Sequence, residues 1–328
     1  MDEMEFKPIR KLDPVRESYV TIPSRVFEDA ERGYKKAGRR AVVLAFFLFR
    51  CGKDGIAGFT LQAIMDWAGR TCDKNNQGSN AGYVEAINSL ELDGFIDVLD
   101  TEKGNDSRGS RKFTPLQYRE AVVRKDELTR RLQDKDNEER DYFAVVYLDE
   151  VRRVLGYKND EQIKNAFPDN RIECESLFLV YCHLFKWLRS KARLNTPREA
   201  CDGDYFKNGK WDWVAMQRDF PEAYDFTYKG IAEELGMTEE AVSKAAQMLD
   251  VLGLVRPCAL QRVKADDDSW STLNTIFVSY QKRDAKKMEL IQQGSEYWMR
   301  EARNRLLWLK ANYPQRYKNI RFKDSDLW

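Results

Sequence analysis

The sequence predicts a mainly α fold with small β-sheets, an α+β chain in which one structural plan is used twice. Three observations carry this. The pattern Ser79-x(6)-Ala86-x(3)-Leu90-x(3)-Gly94-Phe95-Ile96 returns as Thr238-x(6)-Ala245-x(3)-Leu249-x(3)-Gly253-Leu254-Val255, at a fixed offset of 159 residues from Gly94 to Gly253. Ahead of each copy stands a short segment closing in Ile-x(4)-Gly, Ile64 to Gly69 and Ile231 to Gly236. Further upstream of each lies a segment that is apolar nearly all round, residues 41–49 and 175–188. In both copies a hydroxyl residue fit to cap a helix precedes about three turns with one apolar side, followed by Gly and a short apolar run suited to a strand.

Taken in order, residues 1–16 read as an exposed, mixed-charge lead-in. Tyr19-Val20-Thr21-Ile22-Pro23 alternates and stops at Pro, as a short edge strand or an extended entry segment does. A buried helix is expected over 37–51, and a second over 61–68, capped by Thr60 and ended by Gly69. The third follows a ten-residue polar linker, 70–79, with Ser79 as its cap. Strands at 95–99 and 112–114 would flank a tip at 102–110, where Gly104, Asn105, Asp106 and Gly109 supply turn chemistry. Residues 117–141 carry dense charge of both signs and few apolar positions, which predicts a solvent-exposed connecting helix. Residues 143–148 suit either a strand or the start of a helix.

The second copy repeats the plan with a buried helix at 175–188, an irregular insertion at 194–223, and helices at 228–235 and 239–252 joined by Gly236-Met237. Its strands are expected within 256–263 and 274–279, around a tip that holds Asp266, Asp267 and Asp268. A last helix is expected from about residue 282 to 312. Three helices closed by a two-stranded ribbon are the writing of a winged helix-turn-helix, so the expected organisation is a winged helix at 1–116, a charged connecting helix at 117–142, a second winged helix at 143–280 and a basic C-terminal helix and tail at 281–328.

Composition bounds the function. At 328 residues, 42% hydrophobic and 33% charged, the chain has material for two or three globular domains. No apolar run reaches the ~20 residues of a membrane span, and residues 1–10 are charged where a signal peptide would be apolar. Six cysteines without CxxC spacing read as free thiols in a reducing cytoplasm. The single histidine, His183, falls inside an apolar helix and reads as a packed core residue, which leaves Ser-His-Asp, Cys-His and histidine-metal sites without their central residue. There is no GxxxxGK[ST] phosphate loop. The expectation is therefore a non-enzymatic protein without cofactor or metal.

Net charge is only +1, yet its distribution is uneven: from residue 281 to 323 twelve basic residues stand against four acidic ones. With the apolar positions of each third helix turned inward, Asn80 and Asn88 in the first copy and Ser243, Lys244 and Gln247 in the second are the candidates for base contact. Lys103, Arg108, Arg111 and Lys112 in the first wing, and Lys282, Arg283, Lys286 and Lys287 beyond the second, are the candidates for phosphate. The acidic second tip would be repelled by phosphate, so the second module suits either DNA or a protein partner.

The stretch from Phe226 to Lys244, through Leu249 and Gly253-Leu254-Val255, resembles bacterial winged-helix proteins. Tyr19-Val20-Thr21-Ile22-Pro23, the helix at 41–49 and Asn88-Ser89-Leu90-x(3)-Gly94-Phe95-Ile96 resemble the N-terminal winged helix of plasmid and phage replication initiators of the RepA type. The resemblance implies sequence-specific binding of double-stranded DNA in replication of a plasmid, phage or mobile element, with transcription regulation as the alternative. Replication or transcription proteins and a second copy of the chain would be its partners. A rival of another class is a protein-interaction scaffold built on winged helices that have lost DNA.

Overall fold

The computed structural model describes residues 19–72, 77–99, 109–125, 128, 142–169, 172–188, 206–207, 210–211, 223–258, 262–264, 270–272, 275–279, 311–312 and 314. Among them the chain is mainly α with small antiparallel sheets. The first unit runs β1 (Tyr19–Pro23), α1 (Ser24–Phe27), α2 (Tyr34–Arg50), β2 (Ile56–Phe59), α3 (Leu61–Trp67), α4 (Gln77–Leu92), β3 (Ile96–Leu99) and β4 (Arg119–Val123). The second opens with β5 (Phe143–Tyr147), α5 (Leu148–Leu155), a 3-10 turn (Tyr157–Asn159), α6 (Glu161–Ala166) and α7 (Cys174–Leu188). A backbone hairpin, β6 (Phe206–Lys207) with β7 (Lys210–Trp211), follows within the expected insertion. Then come β8 (Ala223–Phe226), α8 (Tyr228–Leu235), α9 (Glu239–Val251), β9 (Val255–Cys258), the hairpin of β10 (Arg262–Lys264) and β11 (Trp270–Thr272), and β12 (Thr275–Ser279).

Both units build the same sheet. In the first the strand order is β2-β4-β3, with Ala57 opposite Ala121 and Val98 also opposite Ala121; in the second it is β8-β12-β9, with Phe277 between Tyr224 and Pro257. The strand that comes last in sequence is central in each. Local chemistry repeats with it. Thr60 accepts a hydrogen bond from Ala63 N at 3.0 Å to cap α3, and Thr227 from Gly230 N at 2.8 Å to cap α8. Gly69 and Gly236 then end these helices at φ of 67° and 64°, a region that admits Gly at no steric cost.

Three sequence expectations change here, the first being the returning strand at 112–114, which forms no strand. The first sheet closes with β4 inside the stretch read as a connecting helix, so the first unit extends past residue 116. Its charged residues misled: Glu120 and Val122 alternate with Ala121 and Val123, which are buried on the core face, and that period of two is a strand's. Ser79 does not cap α4, because that helix already begins at Gln77. Residues 143–148 divide between the two readings offered for them, strand to Tyr147 and helix from Leu148.

The units are joined through one continuous apolar core. At its centre α2 packs on α7, in which every residue except Trp187 is buried, as an all-round apolar helix demands. A Cβ at Gly38 would lie 2.6 Å from the Glu175 carbonyl oxygen, so only glycine lets α2 approach the start of α7 this closely. Beside these helices β1 pairs antiparallel with β5, Thr21 facing Val145 at the middle of the ladder. The two contacts therefore join equivalent elements of the two units. Others are exchanged: Gly69, at the end of α3, abuts the Leu155 carbonyl at the end of α5, and Gly236, at the end of α8, abuts Ala30 just beyond α1. Equivalents that pair with each other, and cross-contacts that come in swapped pairs, define a pseudo-two-fold axis within the chain.

Candidate nucleic-acid interface

In the second unit α8 and α9 meet at a two-residue turn. Gly236 takes the left-handed conformation, Met237 N donates to the Ala232 carbonyl at 2.9 Å, and Thr238 Oγ1 accepts from Ala241 N at 3.2 Å. Three local devices thus fix the entry of α9. Its Val242, Ala245, Ala246, Met248 and Leu249 are buried, which leaves Glu239, Glu240 and Gln247 exposed and Ser243 and Lys244 half-buried. Positions 239, 243 and 247 recur every four residues and form one outward stripe. Glu239 and Glu240 at the first turn complement the helix dipole. Further along, the Gln amide, the Ser hydroxyl and the Lys ammonium offer donors, and the amide and hydroxyl also offer acceptors.

The first unit presents α4 by the same frame, with Tyr83, Ala86, Ile87 and Leu90 buried. Its outward chemistry differs from the sequence expectation in three places. Asn80 is buried, its Oδ1 3.6 Å from the Cys72 sulfur, and does not face solvent. Asn88 is half-buried and its amide is held by the returning chain: Nδ2 donates to the Arg111 carbonyl at 3.0 Å, and Oδ1 accepts from Arg111 N at 3.1 Å. Arg111 is no surface cation. Its guanidinium is buried against Glu91, Nε lying 2.9 Å from Oε1, while the two carboxylate oxygens also accept from Val98 N at 3.1 Å and Gly109 N at 2.9 Å. Asn88, Glu91 and Arg111 are thus the fastening of the loop base onto α4. The partners lie 20 and 23 residues apart, beyond any local periodicity.

Lys112 is exposed, as expected of a phosphate contact. Lys103, Arg108, Lys282, Arg283, Lys286 and Lys287 lie outside the described residues, as do Asp266, Asp267 and Asp268 of the expected second tip and nearly all of the stretch expected as a C-terminal helix. Beside α4 the structure brings basic residues that the sequence reading passed over, on the first turns of α2. Lys36 Nζ pairs with Glu85 at 2.7 Å, and the Arg39 guanidinium lies over Gly82. Lys35, Lys36, Arg39 and Arg40 at a helix N-terminus oppose the helix dipole, an unfavourable placement that sequence alone displays.

Two polar clusters lie between the units. Arg70, just past α3, donates from Nε to Glu175 Oε1 at 2.9 Å and from Nη2 to Glu173 at 3.0 Å, and Tyr83 Oη donates to Glu175 at 2.7 Å. Burial alone would raise the Glu175 carboxyl, but the hydrogen bonds from Arg70 and Tyr83 outweigh it and hold the pKa down at about 2. Burial, reinforced by the neighbouring Glu175 charge, pushes the Cys174 thiol up to about 12, the opposite of an activated nucleophile. In the other cluster His183 is buried as expected, but polar contacts hold it: Nδ1 lies 2.8 Å from Glu28 Oε1. Ligand atoms of Glu28, His183 and Glu234 lie within 4.8 Å of one another, the span of a metal site. Lys186 stands among them, its ammonium paired with Glu28 and 3.9 Å from Glu234, and so supplies the positive charge the carboxylates require. Burial pushes the Glu28 carboxyl up, yet His183 and Lys186 prevail and keep it below its ordinary value.

Chemically, then, the clusters between the units fasten, and the outward stripe of α9 presents hydrogen-bonding groups and charge to solvent. No family model, no curated protein and no solved structure matches the chain, so the reading of this surface rests on its own geometry.

Proposed function

We propose that the chain is a non-enzymatic, sequence-specific binder of double-stranded DNA, built from two winged helix-turn-helix units. The observation that carries this reading is the duplicated plan of two successive helices and a three-stranded sheet, in which the patch of Ser243, Lys244 and Gln247 stands on a helix held by a tight turn. A helix so mounted fits a major groove, where Gln pairs with adenine in two hydrogen bonds and Lys with guanine or phosphate. Replication initiation of a plasmid, phage or mobile element is the role favoured, and transcription regulation the alternative, since both use this architecture.

Fluorescence anisotropy against a fragment library, at several salt concentrations and with random-sequence competitor, tests the reading. Competitor-resistant binding of one fragment supports it, with Gln247→Ala relaxing base preference while nonspecific affinity is kept. Failure to prefer any fragment overturns it. A second reading, a protein-interaction scaffold, draws on Glu239 and Glu240 exposed at the start of α9 and on the internal use of Asn80, Asn88 and Arg111. Co-purification of a stoichiometric protein, without DNA preference, would favour it.

A further inference from the structure

The relation between the units has a consequence for the shape of the target, which rests on the DNA-binding reading above. We infer that the DNA site of a single chain consists of two half-sites in inverted orientation and of unlike sequence.

Orientation follows from the join. If the units were related by translation, like modules on a string, an element of one would touch a different element of the other. Here β1 lies against β5 and α2 against α7, each with its own counterpart, and Gly69 with Leu155 mirrors Gly236 with Ala30. Two units related in this way carry α4 and α9 in opposite senses about the axis, as the recognition helices of a symmetric dimer are carried. The duplex has two-fold axes of its own, so a reader with this relation meets half-sites that run inward toward each other. A flexible tether would leave orientation free. Against that, the units share one apolar core, and the Arg70–Glu175–Tyr83 and Glu28–Lys186–His183 clusters bind them on top of it.

Unlikeness follows from the outward residues. At the 159-residue offset Ser243 corresponds to Val84, Lys244 to Glu85 and Gln247 to Asn88. The second unit offers donors and acceptors to base edges, whereas the first offers the exposed Ala81, the half-buried Val84 and Glu85 paired with Lys36, its Asn88 being spent on the loop base. Apolar side chains of this kind suit thymine methyl groups. The second half-site is therefore the more demanding in sequence, and the whole site is inverted in frame with unlike bases in its two halves.

The experiment uses the full chain and labelled duplexes recovered from a randomised library. Duplexes that carry two copies of the recovered second half, inverted or direct and with spacing held constant, are then offered to the variant Val84→Ser/Glu85→Lys, whose α4 bears two of the outward residues of α9. The inverted duplex should bind roughly a hundredfold more tightly, since in the direct one several base pairs are mismatched at once. Gln247→Ala should relax preference in one half only. Equal or tighter binding of the direct duplex overturns the inference while leaving DNA recognition standing. Recovery of no preferred duplex overturns both, and protection of one half alone overturns the two-site reading.

Discussion

The third helices of the two units share a frame and diverge at the surface. In α4 and α9 alike, the residues facing the core are those that periodicity selects, and a glycine at φ of 75° or 66° turns the chain into the next strand. Outward, α9 keeps Ser243, Lys244 and Gln247 in one patch, whereas α4 has turned Asn88 to fastening its own loop and lost Asn80 to the interior. The lesson is that a duplicated scaffold preserves what packs and leaves the exposed face to take separate duties. Even the linker ahead of each helix obeys this, since the six extra residues between α3 and α4, beside the three between α8 and α9, alter neither the inward face of α4 nor its sheet.

The largest effect is expected where the units are bound together. Glu175→Gln takes the charge from the carboxyl that Arg70 and Tyr83 share and leaves Arg70 only Glu173, which should cost roughly 3 kcal/mol in a denaturant titration, the lower end for a broken buried pair. A pH series sharpens this. A carboxyl held down at about 2 against an ordinary 4.5 contributes stability that is complete above pH 4.5 and disappears as pH falls toward 2. That contribution is on the order of 3 kcal/mol. The difference in unfolding free energy between native chain and Glu175→Gln should accordingly narrow across that window, and an unchanged difference would remove the ion pair from the account.

Next in size is Gly38→Ala, which drives a methyl into the Glu175 carbonyl and forces α2 away from α7. About 1–3 kcal/mol should be lost, visible as a lowered melting temperature. The finest test sets the two helices against each other. Asn88→Ala should cost about 1–2 kcal/mol of stability, by releasing two hydrogen bonds to the Arg111 backbone. Gln247→Ala should cost at most about 0.5 kcal/mol and act on base preference instead. If Asn88→Ala changed preference without changing stability, the contrast drawn between α4 and α9 would be reversed.

Most of what is local was legible in the sequence. Thr60 and Thr238 cap the helices expected, Gly69 and Gly236 end theirs, α7 is buried nearly all round as its apolar run requires, and the apolar faces of α4 and α9 are the ones that period 3.6 selects. What escaped depends on partners far along the chain. Nothing near Tyr19 announces that its strand will pair with one centred on Val145, and no spacing rule joins Glu28 to His183 and Lys186. The strand β4 was hidden by charge, because Arg119, Glu120 and Arg124 suggested a solvated helix when only Ala121 and Val123 meet the core. Asn80, Asn88 and Arg111 had the residue types of a DNA contact and a surface position by periodicity, yet distant backbone and carboxylate groups claimed two of them and burial the third.

The contact between α2 and α7 also governs how the protein comes apart. Two units with separate cores would melt independently, and a lesion in one would leave the other folded. Here the two helices form the middle of a single interior, so Leu179→Ala would open a cavity in the core that both units share. The described parts of both units rise and fall together in one cooperative event. Natural variation is then confined by a shared threshold: a substitution tolerated for the sake of one outward face draws on stability that the other face also needs.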